Sequence, residues 1–264
     1  MGKTDERIYL NYPVVLVHGI HANDRNGQSW GRIPQFLTDC GVPVYFGGTD
    51  GWGSYETNAA QLKAAIEQIL AKTRTEKVNI IAHSKGGIDA RYLIWRYNFG
   101  GQVASLTTIA SPHQGSELAD LLYRRGAVRW GVSKKILGIF EKVYGDTSPD
   151  VHNVNLELTT EKMKEFNERV LMDEGVYFQS LYTVMDGSLD DLVFSYTYRY
   201  IKKNNGENDG VVSSWSAMWG TNVRKIADGV SHAEIIDLKK RTISGIDIPR
   251  LYAAIARDLS RRGF

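Results

Sequence analysis

The chain has 264 residues, of which 42% are hydrophobic and 23% are charged, a composition typical of a folded globular protein. Its 32 basic and 30 acidic residues are interspersed and give a formal net charge of +2, which argues against a nucleic-acid partner. No apolar stretch is long enough for a transmembrane helix. The single cysteine, Cys40, excludes a disulfide within the chain and is expected to be a small buried hydrophobe.

The first residues, Met1 to Arg7, are polar and lack the apolar stretch of a signal peptide. Two expectations for localisation therefore stand side by side. The protein is cytoplasmic, or it is secreted after removal of a signal that precedes this numbering.

Strands and helices alternate along the chain. Short apolar or aromatic runs predict buried strands at 14–17, 42–46, 78–82, 103–109 and 176–184, with a last strand that starts near Ile226. Apolar residues at helical spacing predict helices at 57–72, 86–97 and 248–261. This alternation predicts an α/β fold with a mostly parallel central sheet covered by helices on both faces. Such sheets bind ligands at the carboxyl ends of their strands.

Residues 116–173 interrupt this rhythm with helical patterns at 118–123, 134–143 and 159–172, joined by polar stretches. We interpret them as a helical lid or cap inserted over the strand ends. The prediction is one domain over residues 1–264 with this insertion at about 116–173.

Ala82-His83-Ser84-Lys85-Gly86 lies between a predicted strand and a predicted helix. The pattern small-x-Ser-x-Gly is typical of a sharp turn that presents a nucleophilic serine, because larger side chains beside it would collide with neighbouring backbone. The turn also places the serine at a helix N-terminus, where backbone N–H groups favour developing negative charge. Ser84 is therefore the predicted nucleophile.

An oxyanion formed at Ser84 needs two preorganised donors. The backbone N–H of Lys85, the residue after the nucleophile, is the first. We assign the second to the N–H of Ile20, because Gly19 after the first strand lets the backbone approach closely. His18 in the same loop is interpreted as a packing residue rather than a proton carrier.

The general base must lie late in the chain, because hydrolases with this turn place serine, acid and histidine in that order. His232 is the only histidine after residue 152. The acid is assigned to Asp209, at the turn Asn208-Asp209-Gly210, where a carboxylate can hold the imidazole. Asp186, Asp190 and Asp191 are the alternatives.

Six segments in order resemble the bacterial true lipases of the Pseudomonas, Burkholderia and Proteus type, with features of the Geobacillus-type lipases. The matching segments are 16–19, 82–87, 111–120, 158–161 with 166–167, 208–210 and 232–236. The resemblance implies an α/β-hydrolase that cleaves acyl esters beneath a helical lid. It places the triad on Ser84, Asp209 and His232 and the oxyanion donors on Ile20 and Lys85.

Lys85 stands where this family usually has glutamine, so we expect a new charge beside the acyl site. The resemblance also implies a structural calcium, with Glu234 as a ligand and Asp190 or Asp191 as its partner. However, Lys239 stands near the position where some relatives have a second acidic ligand. The alternative is therefore that Glu234 is a surface charge. No zinc and no organic cofactor are expected.

The expected activity is that of a triacylglycerol lipase working as a monomer on an ester or lipid at an oil–water interface. Apolar and basic residues mixed over 118–143 would form the lid, and Trp52, Trp215 and Trp219 are candidates for an acyl groove. His113 is interpreted as structural. The alternatives are a short-chain esterase, polyester hydrolase or acyltransferase with the same triad, and a binding protein without activity.

Overall fold

A computed structural model describes residues 7–20, 29–124 and 156–264 of the chain. Within these residues the centre of the fold is a parallel sheet with the strand order β2-β1-β3-β4-β5-β6. The strands are β1 (Val14–Val17), β2 (Val44–Phe46), β3 (Val78–His83), β4 (Val103–Ile109), β5 (Tyr177–Val184) and β6 (Val223–Asp228).

Helices connect most of these strands, as parallel pairing requires. They are α1 (Ile33–Asp39), α2 (Tyr55–Thr73), α3 (Lys85–Arg96), α4 (Glu117–Arg124), α5 (Thr160–Arg169), α6 (Ser195–Asn205), α7 (Ser214–Ala217) and α8 (Ile248–Arg261), with 3₁₀ turns at Phe99–Gly101 and Glu234–Ile236. The predicted α/β architecture, a mostly parallel sheet with helices on both faces, is therefore confirmed.

The core lies in two layers, one on each face of the sheet. Val15 and Val17 of β1 pack into the layer that contains α2 and α3, whereas Val14 and Leu16 pack into the layer of α1 and α8. Successive residues of a strand point to opposite faces. A strand covered on both faces must therefore be apolar throughout, and all four residues of β1 are buried.

Local signals in the sequence set the ends of several helices. The Ser54 side chain accepts a hydrogen bond from the N–H of Thr57 and caps α2, and Thr159 does the same for α5 through Lys162. The last helix, α8, has the predicted bounds and a proline in its first turn, where a missing N–H is tolerated.

Three helices are not predicted from the sequence, and one strand begins earlier than predicted. The short α1 and α7 offer too few turns for a periodic pattern. The longer α6 carries four tyrosines or threonines in its first six residues, which favour strands by propensity. Strand β6 begins at Val223 instead of near Ile226.

The described ends of the 116–173 insertion are held on the rest of the molecule. Helices α4 and α5 contact each other, and their side chains Leu118, Met163 and Phe166 are buried. Residues 125–155, including the predicted helix at 134–143, lie outside the described residues, so the lid stays a prediction. In the described ranges no helix combines the length and apolarity that crossing a bilayer requires.

Candidate active site

Ser84 lies on a strained turn between β3 and α3. Its backbone adopts φ 53° and ψ −131°, which is rare for a residue with a side chain and costs of order 1–3 kcal/mol. Such strain persists only where the surroundings leave no alternative. A Cβ on Gly86 would lie 2.3 Å from the carbonyl oxygen of His18, and one on Gly19 would lie 2.7 Å from the Ser84 Cβ. These two glycines let the first loop and the turn approach each other.

Ser84, His232 and Asp209 form one hydrogen-bonded chain. The Ser84 Oγ lies 3.0 Å from the His232 Nε2, and the His232 Nδ1 lies 2.7 Å from the Asp209 Oδ2. Asp209 and His232 are almost completely buried, and 8% of Ser84 is exposed. In this arrangement the imidazole can accept the serine proton while the carboxylate stabilises the imidazolium that results.

Asp209 is held by backbone donors of its own turn. Its Oδ1 accepts hydrogen bonds from the N–H groups of Val211 and Val212, at 2.9 and 2.7 Å, which leaves Oδ2 for His232. The His232 N–H in turn donates to the Asp209 carbonyl oxygen at 2.9 Å. The turn therefore fixes both the Asp209 carboxylate and the backbone of His232.

His83, the residue before Ser84, contacts His232 from the end of β3. Its Nε2–H donates to the His232 carbonyl oxygen at 3.1 Å, and the two rings are 4.5 Å apart between centroids. Complete burial, reinforced by the neighbouring His232, lowers the pKa of His83 well below its usual value. His83 is therefore a neutral donor at physiological pH. The sequence carries no local signal for this contact between His83 and His232.

The two predicted oxyanion donors flank Ser84. Lys85 is the first residue of α3, and the first N–H of a helix has no acceptor within that helix, so it is available to a ligand. Ile20 follows Gly19 and lines the same cavity as Ser84.

The cavity in front of Ser84 is mostly apolar. Besides the histidines and serines of the site, its described lining includes Ile20, Trp30, Pro112, Leu118, Ala119, Leu158, Val211, Val212 and Ile236. Several of these belong to the segments that begin and end the predicted lid insertion. A pocket of this kind favours an acyl chain over a polar group.

Residues 13–167, more than half of the chain, match the family described as palmitoyl protein thioesterase. Triacylglycerol lipase 2 of Saccharomyces cerevisiae is 32% identical over 258 residues, which are 89% of this chain and 74% of the yeast protein. The chain belongs to this family of lipases and thioesterases. A triacylglycerol lipase of Pseudarthrobacter phenanthrenivorans is 34% identical over 173 residues, 59% of this chain and 53% of that protein.

The fold agrees with this assignment. The crystal structure of the mature Bacillus licheniformis lipase BlEst2 has a TM-score of 0.69 and 22% identity, and the match covers 90% of this chain and 91% of that one. The chain spans about half the length of the bacterial relative from Pseudarthrobacter. The predicted resemblance to α/β-hydrolase lipases is confirmed, and the chain is a carboxylic ester hydrolase.

The expectation that Lys85 places a charge beside the acyl site is wrong. The Lys85 Nζ turns along α3 and donates to the Asp89 Oδ1 at 2.6 Å, one helical turn away, and both side chains are 2% exposed. Asp89 also accepts a hydrogen bond from the Asn58 Nδ2 at 2.8 Å. The lysine is thus neutralised within the helix layer and does not line the cavity in front of Ser84.

The residues predicted for calcium do not fit the ion. The Lys239 Nζ lies 2.7 Å from the Glu234 Oε1 and 3.0 Å from the Asp191 Oδ2, so an ammonium already stands between two carboxylates. Calcium needs six to eight oxygen ligands, and the described residues contain no group of three acids, histidines or cysteines that could hold a metal.

Asp190, a predicted partner of Glu234 at that site, has a different role. Its Oδ2 accepts hydrogen bonds from the N–H groups of Asp186 and Gly187, at 2.6 and 2.9 Å, and thereby closes its own loop. The acid that faces Glu234 across a cation is Asp191. Glu234 itself is buried, so the alternative of a surface charge is also wrong.

The predicted tryptophan groove is not found among the described residues. Trp219 stacks on His113 and lies 3.8 Å below the guanidinium of Arg91, whereas Trp30 lines the cavity beside Ser84. His113 contacts Arg91 and Thr108 in this buried cluster, which agrees with a structural role. Burial lowers the pKa of Arg91 to about 9. No pattern along the chain pointed to Arg91 or Trp30.

Proposed function

We propose that this ester hydrolase cleaves lipid esters through an acyl-enzyme on Ser84. The observation that carries the proposal is the chain of hydrogen bonds from Ser84 through His232 to Asp209, with distances of 3.0 and 2.7 Å. The mostly apolar lining of the cavity supports an aliphatic acyl group. The names of the relatives, triacylglycerol lipases, support a triacylglycerol or similar lipid as substrate.

In the first half-reaction the His232 Nε2 takes the proton of Ser84 while the serine Oγ attacks the ester carbonyl. The N–H groups of Ile20 and Lys85 hold the resulting oxyanion, and each such donor is worth roughly 10²–10³ in rate. The carbon–oxygen bond to the alcohol then breaks, and the alcohol leaves with the proton from His232.

In the second half-reaction water replaces the alcohol. His232 takes one proton from the water, and the hydroxide attacks the acyl carbon. Collapse of the second tetrahedral intermediate breaks the bond to the Ser84 Oγ, which recovers its proton from His232. The products are a carboxylic acid and the free enzyme, and these steps use no cofactor.

We further propose that the enzyme acts as a monomer on substrate at an oil–water interface. Apolar residues from the described parts of the predicted lid insertion at 116–173 line the cavity, Leu118 near its start and Leu158 in its second half. Activity that rises when the substrate passes from monomers to micelles, in a protein that elutes as a monomer, would support this. Equal activity in both states would reduce the enzyme to a soluble esterase.

The decisive experiment compares wild type with Ser84→Ala on p-nitrophenyl esters from acetate to palmitate, with and without micelles. We expect hydrolysis of long chains by wild type and a loss of at least 10³-fold in the variant. Ser260→Ala is the matched control. It removes a hydroxyl of the last helix that donates a hydrogen bond to the Tyr9 carbonyl oxygen, and it should hydrolyse esters like wild type. Hydrolysis that survives in Ser84→Ala would contradict the proposal.

A second candidate, thioester hydrolysis, follows from the palmitoyl protein thioesterase family that residues 13–167 match. The same triad attacks a thioester carbonyl and expels a thiol instead of an alcohol. Palmitoyl-thioester and palmitoyl-ester substrates compared at equal concentration would rank the two activities by kcat/KM. If neither substrate is turned over, the remaining alternative is a binding protein with this fold.

A further inference from the structure

A cluster of charged and polar groups surrounds Ser231, the residue before the catalytic base. Asp191, from the loop between β5 and α6, and Glu234, from the 3₁₀ turn after β6, both point at the Lys239 ammonium. Their carboxylates are 2% and 0% exposed, whereas 35% of the lysine side chain is exposed. Two loops that are distant in sequence are therefore joined through one cation.

Both carboxylates also bind Ser231. The Ser231 Oγ donates to the Asp191 Oδ2 at 2.8 Å, and the Ser231 N–H donates to the Glu234 Oε2 at 3.1 Å. The next residue is His232, whose N–H donates to the Asp209 carbonyl oxygen. The position of the base along its loop thus depends on two acids that would repel each other without a cation between them.

Lys239 carries most of the compensating charge. Hydrogen bonds to Glu234 and Asp191 outweigh the effect of burial and raise the pKa of Lys239, so the ammonium stays charged at physiological pH. Arg241, the other cation near Glu234, is 4.0 Å away and 63% exposed, too far and too hydrated to replace it. A buried carboxylate without a cation is costly, so loss of Lys239 would force this loop to rearrange.

We propose that Lys239 is a positioning residue for His232 and supplies the positive charge that a divalent cation would otherwise have to supply. Its ammonium joins Asp191 and Glu234, the acids hold Ser231, and Ser231 places the imidazole. The proposal rests on the proposed function, since it assigns His232 as the base. It predicts a hydrolase that needs no added calcium.

The test is Lys239→Met in the full chain, which keeps the length of the side chain and removes its charge. We expect kcat for a soluble ester to fall on the order of 10²-fold, because misplacement of a catalytic group by about 1 Å has that effect. KM should stay within twofold of wild type, because Lys239 does not line the cavity. Labelling of Ser84 by a fluorophosphonate should slow by a similar factor.

Two further measurements separate positioning from general stability. Lys239→Arg should recover at least a tenth of the wild-type kcat, since it restores a cation between the acids. Neither millimolar calcium nor a chelator should change the kcat of wild type, because the Lys239 ammonium already lies between the two acids. Lys225→Met, which removes the partner of Asp228 in an exposed pair at 2.7 Å, is the matched control.

A Lys239→Met enzyme with kcat within twofold of wild type would overturn the proposal, as would a wild type that loses activity in chelator. If Lys239→Met does not fold, the double variant Asp191→Asn, Lys239→Met relieves the repulsion between the acids. The kcat of this double variant should remain at least tenfold below that of wild type. A double variant with the kcat of wild type would equally overturn the proposal. Fluorophosphonate labelling of wild type at Ser84 tests the proposed function separately.

Discussion

Ser84 and His232 approach each other on two loops that different forces hold in place. The turn at Ser84 is held by volume, which means that its neighbours leave no room for larger side chains. A Cβ on Gly19 or Gly86 would collide with nearby atoms, and Ser84 keeps a positive φ between these glycines. The loop of His232 is confined by charge and hydrogen bonds, through Asp209 on one side and the acids around Lys239 on the other.

The difference predicts how each loop fails. A loop held by volume tolerates changes of charge nearby but not an added methyl group, because the backbone on both sides cannot move apart. A loop held by charge tolerates small changes of volume, but it depends on each ionised partner and on which nitrogen of the imidazole carries the proton. Three substitutions test this contrast.

The largest effect is expected for Asp209→Asn on the charged side. The amide oxygen of asparagine can still accept from the N–H groups of Val211 and Val212, so the turn should survive. Its NH₂ group would then face the His232 Nδ1 and force the proton onto Nε2, which could no longer accept from Ser84. We expect kcat to fall on the order of 10⁴-fold with little change in melting temperature.

The control is Asp228→Asn, which removes a carboxylate from an exposed pair with Lys225 and should leave kcat within twofold of wild type. Circular dichroism and thermal melting would show whether Asp209→Asn keeps the fold. A variant that keeps the fold and loses less than tenfold in kcat would show that the carboxylate does not orient His232.

Gly86→Ala tests the other side with a smaller expected effect. The added Cβ would lie 2.3 Å from the His18 carbonyl oxygen and 2.6 Å from that of Val17, both backbone atoms. The first loop must therefore shift and carry Ile20 away from Ser84. We expect a loss of about 3 kcal/mol in the free energy of unfolding and of roughly 10²-fold in kcat/KM.

Gly101→Ala is its matched control, because a Cβ there would meet nothing within 4 Å. Denaturant unfolding and ester hydrolysis of both variants measure the difference. Equal stability of the two alanine variants would mean that the Ser84 turn relaxes more easily than the close approach suggests.

The same contrast explains how much of the site could be predicted from the sequence. The turn at Ser84 depends on residues adjacent in the chain, so the pattern of five residues at 82–86 was enough to predict it. His232 followed as the candidate base from the order of residues along the chain. The acids around Ser231 lie 40 and 3 residues from it and their cation 8 residues from it, and no local pattern reports which carboxylate faces which lysine.

The fold shows a similar division. Strands β1, β3 and β4 were predicted within one residue, because burial on both faces requires an uninterrupted apolar run. Helix α6 was missed because packing of Tyr198 and Ile201 outweighs the strand propensity of its tyrosines. The buried Lys85–Asp89 pair was missed because a lysine in a helix is normally solvated.

Glu157 tests whether charge also matters near the Ser84 turn. Its Oε2 accepts a hydrogen bond from the N–H of Tyr55, the first residue of α2, at 3.1 Å. Burial raises the pKa of Glu157 from 4.5 to about 7, although the charge of Lys85 opposes this increase. The carboxyl group thus changes its charge near neutral pH, close to Lys85, the residue after Ser84.

Glu157→Gln should have the smallest effect on activity and a defined effect on stability. The folded state holds the Glu157 proton to a higher pH than the unfolded state does. The protonated carboxyl group of wild type therefore contributes fully to the free energy of unfolding below about pH 4.5, and this contribution is lost as the pH rises through about 7. Glutamine keeps an acceptor for Tyr55 and has no such loss. Between pH 4 and pH 8 the free energy of unfolding of the variant should therefore rise by on the order of 2 kcal/mol relative to that of wild type. This is less than the full pKa shift implies, because the carboxyl group is partly solvated.

Urea unfolding of both proteins at several pH values measures this difference, and kcat at pH 8 should agree within twofold. A kcat that falls tenfold while stability changes as expected would show that charge, and not volume alone, holds the turn at Ser84. Parallel stability curves for the two proteins would instead mean that the pKa of Glu157 is the same in the folded and unfolded states. With kcat unchanged and the curves diverging in the expected direction, the contrast between the loop held by volume and the loop held by charge would stand.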